Sequence, residues 1–147
     1  MSTRKAGAIL YFDDLRVGDL LPVLTKRPDT RQLVMYAGAS DDYVPIHYDK
    51  DLAAEAGHQS VIVHGALKSA FLGQLVTDWM GSEGRIVELQ VSYRGIDYPG
   101  DVLTCKGKVT ALRREGTLNL VDCDIWLENG KGEVTTPGKA VVALPAR

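Results

Sequence analysis

The stretch from Gly65 to Met80 is apolar on nearly every side: Ala66, Leu67, Ala70, Phe71, Leu72, Leu75, Val76, Trp79 and Met80 leave few polar positions. This spacing predicts a helix, and a helix without a polar face must be buried. Gly81 ends it. Beyond it the period switches to two. Val87, Leu89, Val91 and Tyr93 alternate with Glu88, Gln90, Ser92 and Arg94, and Leu103, Cys105 and Val109 alternate with Thr104, Lys106 and Lys108. Leu118 and Leu120 open a further strand in one phase, and Val121, Cys123, Ile125 and Leu127 continue it in the other, which predicts a bulge there. A last strand runs to about Leu144, with Ala140, Val142 and Leu144 on one face and Pro145 closing it. The turns at Asp97-Tyr98-Pro99-Gly100-Asp101, Arg114-Glu115-Gly116 and Glu128-Asn129-Gly130-Lys131-Gly132 are short, so the strands pair antiparallel. A buried helix followed by about four or five antiparallel strands is an α+β layer architecture, with the sheet wrapping the helix. Open sheet edges predict that a second copy covers them.

The first half reads as helical. Leu20 to Leu24 could be a short strand, confined to an edge by Pro22. Asp29 or Thr30 can cap a helix carrying Leu33, Val34, Tyr36 and Ala37 and ending near Gly38. Asp49 can cap a short helix from Lys50 to Ala56, stopped by Gly57. The chain of 147 residues reads as one domain over 1–147, with residues 1–8 as a flexible tail. An apolar fraction of 45%, a charged fraction of 24% and a net charge of −2 are ordinary for a soluble protein and unlike the basic footprint of a nucleic-acid binder. No apolar run reaches the length of a membrane span, and no signal peptide is read at the N-terminus. Cys105 and Cys123 lack metal-ligand spacing and fall at apolar strand phases, so they read as buried free thiols in a reducing, cytoplasmic setting.

Two short segments carry chemistry. Ser40-Asp41-Asp42-Tyr43-Val44-Pro45-Ile46-His47 sets a carboxylate and an imidazole five positions apart around a proline. Val61-Ile62-Val63-His64-Gly65 ends in His-Gly at the start of the long helix. A carboxylate and a histidine can share proton transfer, and a glycine amide at a helix N-terminus can hold a developing oxyanion. Each residue also has a plainer reading. Asp42 could be a loop cap and His47 a partly buried structural histidine, while His64 could be a core histidine that orients the loop. His47, Asp49 and His64 could in principle hold a metal, but no clear ligand cluster is apparent and none is assigned. His58 reads as a solvated loop residue, and Phe71 and Trp79 as core. Arg85, Arg94, Arg113 and Arg114 could meet phosphates but read as solvated sides of strands.

On these residues the chain resembles the MaoC-like acyl dehydratases, the group that includes the R-specific enoyl-CoA hydratases. The resemblance covers nearly the whole chain. Tyr11-Phe12-Asp13-Asp14-Leu15-Arg16-Val17-Gly18-Asp19 resembles the family's opening. Asp42-Tyr43-Val44-Pro45-Ile46-His47 resembles its catalytic motif, Val63-His64-Gly65 its His-Gly segment, and Tyr98-Pro99-Gly100-Asp101 its later Gly-Asp turn. Asp41 stands where the family usually has Gly, Val44 where it has Asn and Val61 where it has Pro. The resemblance implies a single hot-dog domain, a long helix wrapped by an antiparallel sheet that dimerises edge to edge. It implies reversible hydration of a trans-2-enoyl thioester, or dehydration of a 3-hydroxyacyl thioester, with Asp42 and His47 catalytic and the Gly65 amide binding the thioester oxygen. No cofactor is implied. The substrate would be carried on coenzyme A or acyl carrier protein, and the protein would be a homodimer or higher homo-oligomer, with a heteromer also open. The competing readings are a hot-dog acyl-CoA thioesterase and a non-catalytic acyl-CoA-binding subunit of a heteromeric hydratase.

Overall fold

A computed structural model describes residues 8–147; the expected tail, apart from Ala8, lies outside them. A single helical turn, Phe12–Asp14, leads to a short strand β1, Leu24–Lys26. Helices α1 (Thr30–Ser40), α2 (Lys50–Glu55) and α3 (Gly65–Met80) follow, with a 3-10 turn Pro45–His47 between the first two. Four strands complete the chain: β2 (Arg85–Val91), β3 (Leu103–Glu115), β4 (Leu118–Glu128) and β5 (Val134–Ala143). They form one antiparallel sheet in the order β1-β3-β4-β5-β2. β1 is an edge strand, as Pro22 predicts, although its pairing begins only at Leu24, with a lone bridge from Leu20 to Lys108 before it.

The core is the inner face of α3 against the sheet. Leu67, Phe71, Leu72, Leu75, Val76 and Trp79 pack with Leu103, Cys105, Val109, Val121, Cys123, Ile125, Leu127, Ala140 and Val142. Both cysteines are free, and burial pushes each thiol up to about 12.

The sheet of one chain does not close around α3. Ala66, Ala70, Gln74 and Thr77 form an exposed line along the helix. On the neighbouring edge strand and just beyond it, Val87, Leu89 and Tyr93 are also exposed. Five strands cover one side of the helix; Ala66 and Ala70, the polar Gln74 and Thr77, and the edge residues Val87, Leu89 and Tyr93 border the side left open.

Local details depart from the sequence reading for identifiable reasons. α1 is capped by Asp29, whose carboxylate accepts from the Gln32 amide at 2.8 Å. It runs past Gly38, because that glycine keeps a negative φ and so does not break the turn; the stop falls at Asp41, with φ 55°. The bulge predicted in β4 sits instead in its partner, where Thr110 lies between the pairs Val109–Cys123 and Ala111–Asp122. Leu120 and Val121 are both buried because β4 meets α3 on one side and the Phe12–Asp14 turn near its start. A strand covered on two faces loses its alternation.

Candidate active site

The loop between α1 and α2 is folded tightly by its own main chain. Asp41 takes the left-handed conformation at the end of α1, one that Asp tolerates better than most non-glycine residues. Asp41 is exposed and its part here is conformational. The Val44 amide donates to Asp42 Oδ1 at 3.3 Å, and the Val44 carbonyl accepts from the His47 amide at 3.2 Å. Pro45 presets the turn that follows. These contacts curl the chain so that His47 Nε2 lies 3.8 Å from Asp42 Oδ2. That gap exceeds a direct hydrogen bond and suits a water shared by both groups.

His47 is oriented from behind. Its Nδ1 lies 2.9 Å from the Ile62 carbonyl, which can only accept, so Nδ1 carries a proton and Nε2 faces Asp42. The Ile62 amide donates in turn to the Ile46 carbonyl at 3.0 Å, so segment 61–64 is laced to the loop. His47 is buried, whereas the Asp42 side chain is 36% exposed, giving the pair one protected member and one open to solvent.

His64 completes the cluster. Its ring stacks on His47 with centroids 3.7 Å apart and planes 18° from parallel, and it meets the edge of Tyr36 at 4.9 Å. It is fully buried, and among the described residues neither ring nitrogen has a hydrogen-bond partner. Burial pushes its pKa below the ordinary value of 6.5; the neighbouring His47 acts in the same direction and Asp42 opposes both. Asp42, His47 and His64 each place a possible ligand atom within 4.8 Å of the others. The near-parallel rings aim their in-plane lone pairs side by side rather than at one point, which is poor geometry for a shared ion. Asp49, considered in the sequence as a third ligand, caps α2 instead, accepting from the Asp51 and Leu52 amides.

The buried His64 makes stability pH-dependent. The folded protein holds it neutral to a lower pH than the unfolded chain does. Below 6.5 the unfolded chain therefore binds more protons, and stability is lost as pH falls from 6.5 toward the folded-state value. His47, Asp42 and Tyr36 are the polar groups facing His64, and all remain in a His64→Phe variant. Urea midpoints measured at about pH 7 and about pH 5.5 should fall less for His64→Phe than for the wild type. Equal falls would mean that His64 is not the group being titrated.

Gly65 opens α3, and the first turn receives no side-chain cap from His64. Uncapped amides at a helix start carry the positive end of the dipole. The Tyr93 ring lies so close that a Cβ on Gly65 would stand 3.0 Å from it. Glycine lets the ring approach without displacement, whereas a side chain there would press on it.

Three polar residues escape the sequence reading. Lys68 falls on the buried side of α3, and Asp97, read as a turn residue, is 1% exposed. Lys68 Nζ bonds Asp97 Oδ2 at 2.8 Å, and the Thr135 hydroxyl donates to the same oxygen at 2.6 Å. The one available signal was a lone lysine among apolar neighbours at a core phase of the helix.

An open groove lined by Leu89, Val91, Ile125, Trp126 and Pro137 runs across β2, β5 and β4, and neither Asp42, His47 nor Gly65 borders it. Asp42 and His47 converge in the loop, not in that groove.

Residues 19–124 match the family model described as MaoC like domain. The chain belongs to the MaoC-like dehydratase family and so to the hydro-lyase class of enzymes. It is 32% identical over 123 residues to an (R)-specific enoyl-CoA hydratase of Aeromonas caviae, covering 83% of this chain and 90% of the relative. A solved structure of the A. caviae (R)-hydratase involved in PHA biosynthesis superposes with a TM-score of 0.79 at 30% identity, over 89% of this chain and 98% of that one. A chain of the ChsH1-ChsH2 complex from Mycobacterium tuberculosis gives a TM-score of 0.78 at 26% identity, over 88% and 98%. The architecture is accordingly a hot-dog fold.

Proposed function

We propose that this chain hydrates a trans-2-enoyl thioester reversibly, with Asp42 and His47 activating the water and the Gly65 amide holding the thioester oxygen. The observation that carries the reading is the 3.8 Å approach of His47 Nε2 to Asp42 Oδ2, with the imidazole fixed by Ile62. Water is a poor nucleophile, and two acceptors at hydrogen-bond distance both orient and deprotonate it. Its oxygen attacks Cβ while a proton passes to the pair. The electron pair of the double bond moves toward the thioester, and charge gathers on its oxygen as an enolate. A preorganised amide at a helix N-terminus stabilises that charge. The pair then returns a proton to Cα, and the 3-hydroxyacyl thioester leaves. Dehydration is the same path in reverse.

Val44 bonds Asp42 and His47 through its main chain and is half exposed, and with it in place of the usual polar residue Asp42 and His47 still approach to 3.8 Å. Crotonyl-CoA is the direct test. The chain expressed alone should consume the enoyl absorbance without releasing free thiol. Thiol release from a saturated acyl-CoA would instead indicate a thioesterase. The similarity to the A. caviae hydratase supports coenzyme A as the carrier.

The exposed line on α3 and the apolar edge at β2 point to a second copy of this chain as their cover, giving a homodimer. No helix among the described residues is long and apolar enough to cross a membrane. The free buried thiols fit a cytoplasmic protein. Light scattering checks the assembly. A monomer without hydration activity would favour the other reading, a subunit of a heteromeric hydratase, which the similarity to the ChsH1-ChsH2 complex makes specific.

A further inference from the structure

Beneath the start of α3 lies a buried ion pair that the hydration chemistry does not use. The Lys68 and Asp97 side chains are 3% and 0% exposed. Such a pair is a weak source of stability, because desolvation offsets much of the Coulomb gain and apolar replacements are often as stable. Its placement is more telling than its strength. The Asp97 carbonyl accepts from the Val63 amide at 2.8 Å, two residues before Gly65. The Asp97 carboxylate and the Gly95 carbonyl, at 2.8 and 2.9 Å, take the ammonium of Lys68, three residues after it. Between those anchors the Tyr93 ring lies against Gly65, and the Tyr93 hydroxyl shares a 2.7 Å hydrogen bond with Ser69. Residues 93, 95 and 97 of one irregular segment thus contact residues 63, 65, 68 and 69 of the corner that opens α3. The segment is itself tied down, since the Arg94 and Gly95 amides both donate to the Thr135 carbonyl and the Thr135 hydroxyl donates to Asp97.

We propose that Lys68 and Asp97 are positioning residues for the oxyanion donor: the braced segment fixes the direction of the Gly65 amide from both sides. Both side chains are shut away from solvent. The ammonium is enclosed by Gly95 and Asp97, and its charge is neutralised in place. The proposal rests on the reading of Gly65 as the donor to the thioester oxygen. A displacement of about 1 Å in such a donor can cost about a hundredfold in rate, and removing one outright costs about 10²–10³.

The test is the double variant Lys68→Met/Asp97→Leu, which removes both charges together and leaves neither orphaned. Two readouts are needed: kcat and KM for crotonyl-CoA hydration, and the ultraviolet absorbance of acetoacetyl-CoA enolate formed on the protein, which reports oxyanion stabilisation without turnover. The expected result is a kcat lowered about tenfold to a hundredfold, a KM close to wild type, and a weakened enolate signal. A folded double variant with wild-type kcat and enolate signal overturns the proposal and leaves the pair a structural tie. If the double variant does not fold, Thr135→Val decides on the same readouts, since it removes only the hydroxyl that holds Asp97. A wild-type protein that neither hydrates crotonyl-CoA nor forms the enolate overturns the hydratase reading and this proposal together. An active wild type with an indifferent variant overturns this proposal alone.

Discussion

Asp42→Asn is expected to lower hydration of crotonyl-CoA by about two to four decades in a protein that still folds, and His47→Ala to do the same. Asparagine keeps the shape of the side chain and its acceptor for the Val44 amide, so the loop is preserved while the base is lost. Alanine at 47 removes Nε2 and also releases the Ile62 carbonyl. If both groups act on one water, as proposed, the double variant should lose much less than the product of the single losses. His58→Ala is the control. Its main-chain amide bonds the Ala53 carbonyl and is untouched by the change, so turnover stays near wild type. Near-normal turnover by folded Asp42→Asn would remove the water-activating assignment and leave a binding subunit as the better account. Single-turnover and steady-state rates measured side by side separate a chemical defect from slow product release.

The pair was legible in the sequence because a proline-centred turn brings positions five apart together with little help from the rest of the fold. The helix Gly65–Met80 and the strands after Arg85 were legible because period is a local signal, and here it was strong. What could not be read depends on contacts distant in sequence. His64 stacks on His47 only because segment 61–64 is hydrogen-bonded beside the loop. Asp97 stands two residues before Pro99-Gly100, and its composition says turn, while the fold places its carboxylate under Lys68. A single lysine within an apolar stripe is averaged away by pattern reading. The exposed line Ala66, Ala70, Gln74 and Thr77 shows a different limit. Hydrophobic periodicity marks a helix as largely apolar, but not which of its faces the same chain covers. Asp41 illustrates the reverse case, where the residue type is unusual for the position but the backbone explains it: a left-handed helix stop needs glycine or one of the few residues that tolerate a positive φ.

Gly138→Ala is expected to be the most damaging small substitution in the sheet, at about 3 kcal/mol, the upper end of ordinary overpacking costs. Gly138 pairs with Val91 on one side and Ile125 on the other. A methyl group there would fall well inside contact distance of the Gln90 carbonyl oxygen and 3.0 Å from Val91 Cγ1. The first neighbour is backbone, so no side-chain rotation relieves it. β2 lies at the sheet edge and among the described residues its only ladder is with β5, so the strain is relieved by β2 moving away from that strand. Detachment would begin at Gln90 and Val91 and loosen the Ser92 amide from the Pro137 carbonyl, where the segment bracing Gly65 begins. The expected fall in Tm is about 10 °C for a domain of this size. Hydration should fall with it even at temperatures where the variant remains folded. Gly130→Ala is the comparison: its added Cβ would find only the Val102 carbonyl at 3.9 Å, so stability should change by no more than about 0.5 kcal/mol. An unchanged urea midpoint for Gly138→Ala would mean that β2 is held by something other than its ladder with β5. Lost stability with full hydration would mean that the Gly65 corner does not depend on β2 for its geometry.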